Sequence, residues 1–178
     1  MTALPGVPEV ESCEDCGYVW DEVSRKAIIL RVPDGCQAIV SLLQAEPVRS
    51  VVRPSPERWS MLEYAAHVRD VMLSVRDRLV VGIVEDDPGF KPMYREERVD
   101  LGLYSADSAA EVAREVDAAG AMLGRLFAAI DPALLGRTVQ YGFPDPIQRT
   151  LLWMGQQVVH EVEHHLGDIE QDLRLLSA

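Results

Sequence analysis

Apolar residues spaced three and four apart dominate the chain, and breakers cut that spacing into four stretches. Met61, Ala65, Val68, Met72, Val75 and Leu79 form the plainest stripe. It predicts a helix from Pro56 to Val84, with Ser55 as its N-cap and Pro56 at its first position. Val112, Val116, Ala119, Leu123, Leu126 and Ile130 mark another helix, from Ser105 or Asp107 to Ile130, with Glu111 near its start. A first helix opens at Pro33-Asp34-Gly35 and runs to Ala45, with Ile39, Leu42 and Leu43 on its apolar side. The last runs from Ile147 to Leu176 on Val158, Val162, Leu166, Ile169 and Leu173. Ala27-Ile28-Ile29-Leu30 fits a short strand or a helical turn. No convincing period-two alternation appears, so the fold class expected is an all-α four-helix bundle. The connections 84–105 and 131–147 are longer than a minimal bundle needs and are expected to cover one end. Residues 1–34 read as an N-terminal extension packed on a bundle of residues 35–178.

A chain of 178 residues can bury one sizeable core. Its formal net charge of −12 disfavours nucleic acid and anionic membranes as partners. No uninterrupted apolar run reaches the roughly 18 residues that span a bilayer. Met1 to Ser12 lacks the basic and apolar regions of a signal peptide, which makes the cytoplasm the expected compartment.

Only four histidines are present, at 67, 160, 164 and 165. Residues four apart on a helix share a face, so His160 and His164 form a chelating pair. His165 is turned about 100° from His164 and is not expected on the same ion. His67 can supply a third nitrogen if the second and fourth helices are neighbours. Three imidazoles leave coordination positions open, as in catalytic sites. Against this, histidines four apart arise by chance and are often solvated. The face bearing His160 and His164, with Trp153, Gln157, Gly167 and Asp168, also lies opposite the apolar stripe of its helix. His160-Glu161-Val162-Glu163-His164 reads as the HExxH of zinc metalloproteases. Little chain follows it to supply a third ligand, and no substrate-binding strand can be drawn, so a protease is the lesser reading.

Near the N-terminus, Cys13-Glu14-Asp15-Cys16-Gly17 has the form of half a zinc knuckle. Cys36 or a histidine could complete it. If the segment folds over the bundle, Cys13 or Cys16 could instead reach the histidine-bound metal and close that site. A redox pair and plain surface thiols are the alternatives.

The run from Pro56 through Trp59-Ser60, Glu63 and His67 to Asp70, with the distant His160-x-x-x-His164, resembles the DinB-like superfamily over roughly residues 35–178. It is similar to an actinobacterial branch of mycothiol-dependent maleylpyruvate isomerase-like proteins. The resemblance implies an up-down-down-up bundle, often dimeric. It implies one divalent metal (zinc first; nickel, iron or manganese otherwise) on His67, His160 and His164. Glu63, Asp70 and Asp168 are expected as supporting partners of those ligands. It further implies a thiol-dependent S-transferase or isomerase, or a hydrolase, acting on a small molecule such as a thiol conjugate. A metal would lower the pKa of a thiol or water there. Arg69, Arg76, Arg95 and Tyr94 are candidates to contact the substrate, in a pocket lined by Trp59, Trp153 and Tyr141. The competing reading is a non-catalytic homodimer that holds metal or a small ligand.

Overall fold

The computed structural model describes residues 10–177. Four long helices form the bundle: α1 (Arg25–Ala45), α2 (Met61–Val84), α4 (Ala109–Ala129) and α5 (Leu151–Leu176). A short α3 (Arg95–Asp100) lies in the connection between α2 and α4. Both α1 and α2 pack against α4 and α5, so α1 and α2 face each other across the diagonal.

Side-chain contacts set the directions. Arg25 donates to carbonyls at the end of α4, and Gly120 of α4 meets Cys36, so α1 and α4 run antiparallel. Gln156 donates to the Val23 carbonyl just before α1 and Gly35 meets Val162, which makes α1 and α5 parallel. Arg58 reaches Asp172 while Gly82 meets Leu151, so α2 and α5 are antiparallel. The result is up-down-down-up, as expected.

Several boundaries differ from the sequence reading. α1 begins at Arg25, capped by Ser24, whose hydroxyl accepts from the Ala27 amide at 3.2 Å. Ala27 to Leu30 are therefore helical, and the division drawn at residue 34 falls inside the helix. Pro33 lies within α1, where it removes one backbone donor and crowds the carbonyl four residues back. Gly124 of α4 leaves the space this needs: a Cβ there would stand 3.0 Å from the Pro33 ring and 3.4 Å from the Ile29 carbonyl. α2 begins at Met61, not at Pro56. Ser60 and Glu63 form a reciprocal capping box, which satisfies two orphan amides where Ser55 would satisfy one. Ser108 and Glu111 do the same for α4.

The structure also holds strands, which the periodicity did not predict. β1 (Thr138–Tyr141) and β2 (Ile147–Thr150) pair antiparallel, Thr138 opposite Thr150 and Tyr141 opposite Ile147. Four residues are too few for alternation to show. Gln140 reaches into the preceding long connection, its amide to the Pro88 carbonyl at 2.9 Å and its side chain to Asp87 at 2.5 Å. The two long connections thus cover one end of the bundle together.

Val32, Ile39, Val68, Leu79, Val116, Phe127, Leu151, Val158 and Val162 lie fully buried in the core. Each such side chain contributes about 1.5–3 kcal/mol. Among the described residues α1 is the helix long and apolar enough to cross a membrane. In the fold, Ile28, Val32, Cys36, Ile39 and Leu43 of that helix are buried in the bundle.

Candidate metal centres

α5 places consecutive residues 100° apart, and its histidines consequently serve two different surroundings. Glu161 and His165 face α2. His160 and His164 face the N-terminal segment. The three histidines expected to share one ion lie in two groups: His67 with Glu161 and His165, and His160 and His164 with Cys13 and Cys16. Within each group the donor atoms all lie within 4.8 Å of one another.

In the first group, the Glu161 carboxylate sits 3.3 Å from His67 Nε2 and 3.4 Å from His165 Nε2. Gln157 donates to its other oxygen at 2.7 Å. Burial opposes the charge on Glu161, but hydrogen bonds from His165 and His67 outweigh it and hold the carboxyl well below the usual range. Burial dominates at His67 and pushes that imidazole down, toward the neutral, ligand-competent form. At His165 burial acts the same way, yet Asp168 and Glu161 prevail and raise it. Asp168 accepts from His165 Nδ1 at 2.9 Å, which fixes the ring and leaves Nε2 facing Glu161. His67 Nδ1 is buried with no hydrogen-bond partner among the described residues. Trp59 meets His67 edge-on at 5.7 Å, and Tyr64 stacks on His165 at 5.3 Å.

His67 and Glu161 line a cleft of about 420 Å³ formed with Phe90 to Glu97 and Tyr141 to Phe143 from the two long connections. Arg95, Tyr94 and Tyr141 line it as well. Trp153 instead stacks on Trp20 and donates to Glu11. Arg69 is held by Asp70, Asp107 and Glu115, and Arg76 pairs with Asp77, so both guanidiniums are engaged within the protein. Arg78 and Lys91 line the cleft; Arg78 donates to the Lys91 carbonyl at 2.6 Å, and neither has a carboxylate partner among the described residues. The Arg78 guanidinium lies over the rings of Phe90 and Tyr141 at 5.3 and 5.9 Å.

The expected supporting residues divide. Asp168 holds a histidine of the first group. Glu63 closes the α2 capping box and takes a two-pronged contact from Arg53, at 2.8 and 2.5 Å. Asp70 pairs with Arg69 and Arg98. Neither touches a histidine. Cys36 is buried against Met72 and Gly120, away from the other cysteines.

Glu161 and His165 were the residues sequence reasoning missed, although a signal existed. By helical arithmetic His165 lies about 20° from Val158, at the centre of the apolar stripe, and His164 about 120° away. The residue nearest the buried stripe is the one that faces a neighbouring helix.

The donor set fits a divalent ion. Two imidazoles and a carboxylate are the ligands of open zinc and non-haem iron sites, and here all three converge beside a cleft.

Known proteins bear on the fold and the family. The structure of YfiT from Bacillus subtilis, described as a probable metal-dependent hydrolase with an unusual four-helix bundle topology, matches with a TM-score of 0.77. It shares 13% identity, over 96% of this chain and 93% of that one. No curated protein matches the sequence. The family model of the DinB superfamily matches residues 40–169, and with most of the bundle inside that match, the chain belongs to the DinB superfamily.

Proposed function

We propose that the chain is a metal-dependent hydrolase whose ion is held by His67, Glu161 and His165 and whose substrate is a small anionic molecule. The observation that carries this is the buried Glu161 carboxylate between two Nε2 atoms at 3.3 and 3.4 Å, on the wall of a cleft. A divalent ion there would supply Lewis acidity toward water or a substrate carbonyl. The protein's own groups supply the rest. Asp168 fixes the His165 tautomer, and Gln157 orients Glu161 through their hydrogen bond. Arg78 and Lys91 offer positive charge without an internal carboxylate partner, which suits a substrate carboxylate or phosphate. Phe90 and Tyr141 give an apolar wall for its body.

YfiT, as described, supports hydrolysis over transfer to a thiol. A mycothiol-type S-transferase or isomerase rests on the sequence resemblance and needs the same ion, with a thiol in place of water. Metal-free protein reloaded with zinc, nickel or manganese and given small carboxylate-bearing esters and amides tests the reading. Turnover should follow bound metal, vanish in Glu161→Gln, and in Arg78→Ala show a raised KM with kcat retained. Full metal occupancy of the histidine–glutamate site with turnover only when a low-molecular-weight thiol is added would replace hydrolase by transferase.

A further inference from the structure

The second group stands outside that reading and does not depend on it. We propose that Cys13, Cys16, His160 and His164 form a separate, closed zinc site that staples the N-terminal segment to α5.

The backbone around the cysteines is that of a metal knuckle. Ser12 and Val19 pair across a short bridge, and the Cys13 amide donates to the Tyr18 carbonyl at 2.8 Å. Between them the Gly17 amide donates to the Cys13 carbonyl at 2.9 Å, with Gly17 at φ +71°. That left-handed turn is one glycine adopts freely. It brings both thiols to the same side.

The donors converge. Cys13 Sγ lies 3.8 Å from His164 Nδ1, and all four side chains offer atoms within 4.8 Å of one another. In a tetrahedral zinc site with ordinary bond lengths, neighbouring donors lie about 3.3–3.8 Å apart. A small contraction closes the set. Two thiolates and two neutral imidazoles exactly balance a divalent charge, which suits a half-buried position.

An independent observation points to a ligand. Both ring nitrogens of His160 are buried with no hydrogen-bond partner among the described residues. Burying such polar atoms unpaired is unfavourable. Trp20 and Tyr18 pack against that ring at 4.7 and 5.2 Å and shut out water. A metal bond at one nitrogen removes half of the penalty.

The staple also touches the first centre. Trp20 donates to Gln157 Oε1 at 2.9 Å, and Gln157 donates onward to Glu161 at 2.7 Å. Fixing the N-terminal segment therefore fixes the amide that orients Glu161.

The probe is zinc, with cobalt(II) as its spectroscopic substitute, on the full chain. The wild type should hold one zinc per chain that dialysis against a mild chelator leaves in place and a thiol-binding mercurial releases. Cobalt in its place should show a sulfur-to-metal charge-transfer band, lost in the double variant Cys13→Ser, Cys16→Ser but intact in His67→Ala and Glu161→Gln. A wild type without that band, or a band that survives the double variant, overturns the proposal. If the cysteine variants do not fold, thiol titration of the wild type decides. Zinc should protect two thiols from a disulfide reagent, and equal reactivity with and without zinc overturns the site. Neither readout depends on hydrolysis, so failure of the proposed activity would leave this result standing.

Discussion

Replacing Glu63 with Gln isolates what that carboxylate does. In the native fold Glu63 is 4% exposed and accepts from the Ser60 amide at 2.8 Å and from Arg53 at 2.8 and 2.5 Å. Glutamine keeps a carbonyl oxygen for the Ser60 amide. It loses the charge, and its amide group turns a donor toward the Arg53 donors. Hydrogen bonds to charged groups contribute about 1.5–3 kcal/mol, less where the partner can rehydrate, as Arg53 can at the surface. A loss of about 2 kcal/mol follows, which for a chain of this size lowers Tm by about 4–8 °C. The effect has a definite pH signature. Burial works against Glu63, but Arg53 and Ser60 hold its carboxyl below the usual range in the folded protein. Its stabilisation is then full above the unfolded glutamate pKa of about 4.3 and fades as pH falls through the lower folded value. Thermal melts by circular dichroism at pH 7 and at descending acid pH should show the wild type and Glu63→Gln converging. A gap that persists unchanged into acid, or bound metal lost at pH 7 from a folded Glu63→Gln, would refute a capping role and return Glu63 to the metal site.

Other outcomes follow from particular contacts. A Cβ on Gly155 would stand 2.2 Å from Phe127 Cζ, with both neighbouring ring carbons within 2.8 Å. Gly155→Ala should therefore destabilise by about 1–3 kcal/mol in denaturant melts, despite the 0.5–1 kcal/mol that alanine ordinarily adds to a helix interior; a neutral result would mean α4 and α5 lie farther apart. Asp168→Asn should weaken metal binding at the first centre about 10–100-fold by competition titration, because it changes the acceptor on His165 Nδ1. Unchanged affinity would show that the 2.9 Å contact does not orient that ring.

The bundle was legible because its stripes are long: that of the second helix runs unbroken from Met61 to Leu79. Ser60 and Glu63 carry the capping-box spacing, yet Ser55 followed by Pro56 mimics a helix start and drew the boundary too early. Pro33 misled for the opposite reason. A proline reads as a helix start or stop, and the glycine on α4 that accommodates it lies 91 positions away. The hairpin was invisible because each strand has four residues and its partner in the other connection is reached only through tertiary contacts. At the site, spacing identified that α5 presents ligands four apart, but two such pairs overlap, His160 with His164 and Glu161 with His165. Which pair faces α2 depends on the rotation of α5 about its axis, and the apolar stripe sets that rotation. Counting histidines grouped His67 with His160 and His164, whereas the fold sets it beside Glu161 and His165, and Cys13 and Cys16 beside His160 and His164.

Metal stoichiometry of single variants distinguishes two centres from one. Metal-free protein titrated with zinc should bind two ions per chain. His67→Ala should lose one and keep the mercurial-releasable one, and His160→Ala should lose the other and keep the one that depends on His67. A single ion per chain that both His67→Ala and His160→Ala abolish would contradict the partition and restore one shared three-histidine site.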